Sequence, residues 1–477
     1  MNDLSGRLRI HLYRRPGGGL AVTIDSSRLV GASRVFIGKG PAETIATLPS
    51  LFSVCATAQA AACVSACEAA LGQTPSATLM GARRLLVDVE TAREHLWRLL
   101  LDWPGLLGEG PRGPAMARVM GACVQLRSAL AAGGDPLALG TPDLRPDLAA
   151  ARVALTALAD VATTPVLGQA PPDWLAATAT ATELDHWAAT TDTAAARLLR
   201  LVANQGWSAM GRSSVPALPL LSSAALAARL SGPEADDFIA APLWAGAPAE
   251  SSPFTRQSGQ ALVADLTREQ GNGLLTRLAA QLVELAVILA GLPGRLAALA
   301  AGGDGPGGEA EMAGEGEDIR VWRGQDAERG ERADGGERRG EGVGADSEAG
   351  PPADGGADGG ADGALRAGLA DKAARPDLPL QGTSSLPDEV GLAQVQAARG
   401  LLVHRVAIRA GRVADYRILA PTEWNFHPQG AAAQGLATLP DADDETLQRI
   451  GGLFVTALDP CVAYDLRITS EPGGDHP

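Results

Sequence analysis

Residues 398–425 read ARGLLVHRVAIRAGRVADYRILAPTEWN. Leu401, Val403, Val406 and Ile408 precede a turn at Ala410-Gly411-Arg412, and Val413, Tyr416 and Ile418 follow it. Apolar residues recurring on both sides of a Gly-containing turn predict an antiparallel hairpin. The strand-like segment spans 391–425, and it closes on Pro421-Thr422-Glu423-Trp424-Asn425.

A second strand region lies near the N-terminus. Leu8, Ile10 and Tyr13 lead to Gly17-Gly18-Gly19, and Leu20, Val22 and Ile24 follow. This predicts an antiparallel pair, with a further strand at Val35-Phe36-Ile37. Between the two strand regions the chain is rich in Ala and Leu. Helices are expected over 49–71, ended by Gly72 and Pro75, over 82–101, stopped by Pro104, and in several pieces through 113–300. The apolar stretch 274–301 carries Arg277, Glu284, Pro293 and Arg295, so it reads as a buried helix and not as a membrane span. A last helix is expected over 443–453, before an Asp459-Pro460-Cys461 turn. The fold class is α+β, mainly helical.

The 477 residues are 46% hydrophobic and 4% aromatic, enough for a sizeable core. A net charge of −15, without basic clusters interleaved with aromatics, argues against a nucleic-acid surface. Residues 301–385 repeat Gly, Glu, Asp and Arg, and read as a disordered acidic spacer. It would divide one domain into an N-terminal part, 1–300, and a C-terminal part, 386–477. Residues 1–15 lack the apolar core of a signal peptide, and the five cysteines do not form a secreted disulfide framework. The expected home is a reducing cytoplasm, with no membrane partner.

Taken alone the cysteines give little metal signal, with no C-x-x-C and no His at ligand spacing. Cys63, Cys67 and Cys123 read as small buried hydrophobes. Cys55 opens a predicted helix, whose dipole would lower its thiol pKa. Cys461 follows Pro460 near the C-terminus.

The order of motifs resembles the nickel–iron hydrogenase large subunit. Gly6-Arg7-Leu8-Arg9-Ile10 resembles that family's opening strand. Leu51-Phe52-Ser53-Val54-Cys55-Ala56-Thr57-Ala58-Gln59 resembles its C-G-V-C-x-x-x-H motif, with Val64, Ala66, Glu68 and Leu71 in register beyond it. Glu90, His95, Asp102 and Trp103 lie in a stretch similar to the next helix. Residues 398–404 resemble P-R-G-A-L-x-H, Tyr416 through Asn425 resembles Y-x-x-x-x-P-T-T-W-N, and Asp459-Pro460-Cys461-Val462-Ala463-Tyr464 resembles D-P-C-x-x-C.

In that family two cysteine pairs hold nickel and iron. Here Phe52 and Tyr464 replace one cysteine of each pair, Gln59 and Arg467 replace the histidines that follow, and the proton-carrying Glu falls near Ser5. The resemblance therefore implies no hydrogen turnover, no enzyme activity and no stable nickel site. What persists matches the iron half: Cys55 and Cys461 as metal ligands, with Arg399, Pro421 and Thr422 where the family surrounds iron and hydrogen-bonds its cyanides. This pattern resembles the HupK-type (HoxV-type) maturation proteins, paralogues of that subunit. It implies a scaffold or carrier for a transient Fe(CN)2(CO) fragment. Its partners would be other maturation proteins and the large-subunit precursor. The alternative is a metal-free structural paralogue that binds the same proteins. Glu90, His95, His404 and His427 read as helix-surface, packing or ordinary polar residues. With Arg467 in place of the last His, the tail 468–477 is expected to escape endopeptidase processing.

Overall fold

The computed structural model describes residues 6–142, 144–302, 319–323 and 389–469. Ser5, the tail from 470 onward and most of the acidic segment, 303–318 and 324–388, lie outside the described residues.

The two ends of the chain meet in one small sheet. Strand β1 (Arg7–Arg14) pairs antiparallel with β2 (Leu20–Ser26) on one side and parallel with β7 (Ala463–Thr469) on the other, Leu8 lying opposite Tyr464. Leu8, Ile10 and Leu12 alternate inward and are fully buried. The second sheet runs β3-β4-β5-β6, all antiparallel, from β3 (Ile319–Arg323), β4 (Glu389–Ala397), β5 (Gly400–Arg409) and β6 (Arg412–Leu419). The expected β5–β6 hairpin turns at Ala410 and Gly411, with φ of 50° and 71°, the double positive φ of a two-residue hairpin loop.

Helices supply the rest of the core. α1 (Pro41–Leu51) and α2 (Ala56–Leu71) are followed by α3 (Ala77–Trp97). Twelve of the sixteen residues of α2 are buried, so it is a central helix and not an amphipathic surface one. Its small side chains let β4 approach closely: a Cβ on Gly391 would lie 2.0 Å from the Ala66 carbonyl oxygen and 2.5 Å from the Ala70 nitrogen. Gly72, in the left-handed region, ends α2. Helix Leu274–Ala300 crosses the core with Arg277, Gln281 and Glu284 buried along it. It and the stretch Leu148–Ala177 are long and apolar enough to cross a membrane by length and composition. In the fold, however, Arg277 is spent on an internal ion pair with Glu250 at 2.7 Å.

Four local expectations need correction. Residues 49–71 are not one helix, because the chain leaves α1 at Leu51 and restarts at Ala56, so that 52–55 form a connecting loop. Val35-Phe36-Ile37 is not a strand: 32–36 form a 3-10 turn anchored by Ser33, whose hydroxyl donates to the Tyr416 carbonyl at 2.6 Å, and by Phe36 against the Tyr416 ring, while Val35 and Ile37 are exposed. Ile319–Arg323, placed by composition in the disordered spacer, is β3, because Ile319 is an apolar anchor at the edge of β4. The helix after Pro440 extends past 453, over Asp444–Leu458, with an N-cap from the Asp443 carboxylate to the Thr446 N–H.

Candidate metal-fragment site

The 52–55 loop, the segment after β2, the β4–β5 turn, the start of helix Pro421–Asn425 and the segment before β7 converge on one cavity of about 80 Å³. A single water needs about 10–15 Å³ in this measure, so the cavity has room for several small groups. Cys55, Cys461, Arg399 and Pro421 all line it, together with Arg28, Phe52, Gln59 and Glu423. Four of the five sequence-predicted site residues therefore share one chamber. The fifth, Thr422, reaches it through Cys461, with Oγ1 2.9 Å from Sγ.

The Cys461 sulfur is surrounded by donors. The Thr422 hydroxyl accepts from the Cys461 backbone N–H at 3.4 Å, which leaves its own proton free for the sulfur. On another side Arg28 Nη1 donates to the sulfur at 3.2 Å and to a Glu423 carboxylate oxygen at 3.3 Å. Burial works against the Arg28 charge, but the Cys461 sulfur and the Glu423 carboxylate outweigh it and strengthen its hold on the proton. Burial also raises the Glu423 carboxyl, and Arg28 pulls it back.

Cys55 lies at the N-terminal end of α2, but not as an activated thiol. The Glu90 carboxylate occupies the helix start, accepting from the Thr57 and Ala58 N–H groups, both at 2.8 Å. Burial pushes the Cys55 thiol up to about 12, and the neighbouring Cys461 and Glu90 add to the rise, whereas Arg399 and Gln59 oppose it. The expected lowering by the helix dipole is thus overturned by desolvation and by a carboxylate already seated on the dipole. Gln59 donates to the Cys55 sulfur at 3.6 Å, and its carbonyl oxygen lies 2.8 Å from His404 Nε2. His404 Nδ1 lies 2.8 Å from the Tyr416 hydroxyl. Burial lowers His404 to about 3, so the ring is neutral. A donated Nε2–H then fixes the Gln59 amide with its nitrogen toward Cys55, and the Tyr416 hydroxyl donates to Nδ1.

Arg399 sits in the two-residue β4–β5 turn, which is held from several sides. Arg256 donates to the Ala398 carbonyl at 2.8 Å, and Asn425 donates to the Arg399 carbonyl at 3.1 Å and to the Ser251 carbonyl at 2.8 Å. Gly400, at φ 129°, packs so closely on Ser251 that a Cβ would lie 2.0 Å from the Ser251 carbonyl oxygen. The Arg399 side chain is 4% exposed. Nη2 donates to Glu94 at 3.0 Å; Nε lies in an ion pair 3.3 Å from Asp459 without hydrogen-bond geometry, and Nη1 is likewise buried with no hydrogen-bond partner. A buried, uncommitted guanidinium nitrogen in a cavity wall needs an acceptor.

The remaining candidates are structural. Glu90 and His95 are buried, not on the helix surface, and His95 Nε2 lies 2.8 Å from Glu284. Cys63 and Cys67 are fully buried, whereas Cys123 is only partly so. His427 is buried, and its Nδ1 accepts from the Gln429 N–H at 3.0 Å. Phe52 faces the cavity, whereas Tyr464 is half-buried on β7 and Arg467 is exposed there. Among the described residues, no group of three or more His, Cys, Asp or Glu could hold a metal ion.

Sequence reading missed Arg28 and Glu423. Glu423 carried a signal, since it stands where P-T-T-W-N has its second Thr. Arg28 carried only an indirect one: Gly6, at φ 72°, lets the Arg28 backbone pass where a Cβ would lie 2.6 Å from the Arg28 Cα.

The architecture is that of nickel–iron hydrogenase large subunits. The [NiFeSe] hydrogenase of Desulfovibrio vulgaris Hildenborough superposes with a TM-score of 0.53 in its reduced state, at 14% identity and over 94% of both chains. In its oxidised state it does so with a TM-score of 0.54 at 13% identity. The nickel-dependent hydrogenase family model matches residues 372–463. Among curated proteins, the hydrogenase expression/formation protein HoxV of Cupriavidus necator is 28% identical over 98% of this chain and 97% of its own. HupK of Azotobacter vinelandii is 26% identical over 98% of this chain and 99% of its own. HupK of Rhizobium leguminosarum bv. viciae is 43% identical over 83 residues. Over nearly its whole length the chain is thus similar to HupK/HoxV-type hydrogenase expression/formation proteins, on a fold shared with the hydrogenase large subunit.

Proposed function

We propose that the chain is a non-catalytic hydrogenase maturation factor, a scaffold or carrier that holds the Fe(CN)2(CO) fragment as cargo before it is passed on. The observation that carries this reading is the composition of one cavity wall: two cysteine sulfurs beside a buried Arg399 whose Nη1 has no partner. The residues fit such a cargo. Soft thiolates suit iron bearing carbon monoxide and cyanide. The orphan guanidinium donor suits an anionic diatomic ligand. The cargo brings most of its own ligands, so two protein ligands suffice. Ligation at Cys55 must expel the thiol proton, which the metal's charge makes possible. Partners on this reading are other maturation proteins and the large-subunit precursor, met in the cytoplasm; the names of the relatives, hydrogenase expression/formation proteins, support the link to hydrogenase formation.

The test is iron retention after purification without oxygen from the native host. Cys55→Ser and Cys461→Ser should each abolish it without unfolding the chain, and full retention in the double variant would sink the thiolate model. A metal-free structural paralogue is favoured by one observation, the high pKa of the Cys55 thiol. It predicts that both serine variants still support hydrogenase assembly.

A further inference from the structure

The Arg28–Glu423 pair is built into the cavity wall and is not accounted for by the ligands above. Both side chains are largely buried, at 15% and 11% exposure. Glu423 departs from the P-T-T-W-N pattern, and its partner Arg28 comes from the segment after β2, 395 residues away in sequence. A single nitrogen, Arg28 Nη1, bridges the carboxylate and the Cys461 sulfur.

A sulfur that accepts from a guanidinium is a weaker donor to a bare metal cation, because the hydrogen bond draws electron density from it. A cation binding through another sulfur lone pair also arrives beside the Arg28 charge. A metal already carrying anionic ligands meets neither obstacle fully, because those ligands can themselves accept from the guanidinium. The wall therefore distinguishes the two by charge. Without such a device, two soft cysteines in an open cavity would collect free zinc, copper or nickel, which bind thiolates tightly. Among the described residues no group of three or more His, Cys, Asp or Glu is arranged to hold a metal ion, which acts in the same direction.

We infer that Arg28, anchored by Glu423, is a specificity-determining residue that excludes free divalent cations from Cys461 while admitting a metal complex with anionic ligands. This rests on the cargo reading for its second half only. The exclusion of free cations is testable on the protein without cargo.

The experiment titrates the anaerobic, cargo-free full chain with cobalt(II) alone and follows thiolate-to-cobalt charge-transfer absorption. Arg28→Gln/Glu423→Gln removes both charges together, so no buried carboxylate is stranded, and adding Cys461→Ser locates the metal. The double variant should bind cobalt about tenfold more tightly or better than the native chain, with the gain lost in the Cys461→Ser background. Glu423→Gln alone, which leaves the guanidinium unopposed, should bind it no more tightly than the native chain. Equal cobalt affinity in native and double-variant chains would overturn the inference, as would tight cobalt binding by the native chain through Cys461. If the cobalt result holds while the native chain carries no iron fragment, the filter stands and the cargo reading falls.

Discussion

Two buried arginines in this molecule are used in opposite ways. Arg277, in the helical core, spends every guanidinium nitrogen on the protein: Nε and Nη2 on Glu250 at 3.1 and 2.7 Å, and Nη1 on the Gly211 carbonyl at 3.2 Å. Arg83 is committed in the same way, to Glu68 and the Pro136 carbonyl. Arg399 is as deeply buried, yet its Nη1 is left without a partner. Its carboxylates are also shared. Glu94 is held by Arg93 at 2.6 Å and Asp459 by Arg98 at 2.7 Å. The core arginines are therefore structural charges in closed pairs. Arg399 is held in place by its backbone, and its side chain keeps a donor in reserve.

That contrast can be broken by measurement. Arg277→Met strands the Glu250 carboxylate, which is 0% exposed, and should cost about 3–5 kcal/mol in chemical denaturation. Gly391→Ala, which forces a methyl into the α2 backbone, should cost about 1–3 kcal/mol. Arg399→Met leaves Glu94 and Asp459 with their second arginines and should cost less than about 2 kcal/mol, while abolishing retention of the iron fragment. If Arg399→Met proves as destabilising as Arg277→Met, the two arginines are alike and the reserve donor has no special meaning.

The last effect expected is a pH dependence that separates the cavity wall from the core. His404 is depressed from 6.5 to about 3, so the stability it contributes is fully present above 6.5 and is lost as pH falls toward 3. Glu284, depressed from 4.5 to about 2 because Arg256 and His95 outweigh its burial, loses its contribution only below 4.5. Glu90 and Glu423, raised by burial, act with the opposite sign. The His404 share is therefore read by difference: His404→Asn should flatten the fall in urea midpoint between pH 6.5 and 4.5. An unchanged slope would mean that the ring is not held neutral against Gln59.

Much of the site was legible because it is written in local motifs. The β5–β6 hairpin and the Asp459-Pro460-Cys461 segment each carry their own turn chemistry, whereas the β4–β5 turn at Ala398-Arg399 does not. The likeness to a known family supplied the long-range step of bringing Cys55 and Cys461 into one chamber, through β1 pairing with both β2 and β7. What was not legible depends on tertiary surroundings. The break between α1 and α2 at 52–55 has no glycine or proline of its own to mark it. The high Cys55 pKa follows first from burial, then from Cys461 and from Glu90, thirty-five residues on. β3 is a five-residue apolar island whose partner strand begins at 389. Arg28 has no motif at all, and only its neighbours make it a site residue.

The most direct test of the central claim is the infrared spectrum of the full chain, purified without oxygen from its native host. The account predicts bands of iron-bound carbon monoxide and cyanide, clear of protein absorption, that disappear in Cys55→Ser and in Arg399→Met while both variants stay folded. A native chain with neither bands nor iron would contradict it, and the cavity would then belong to a metal-free partner protein.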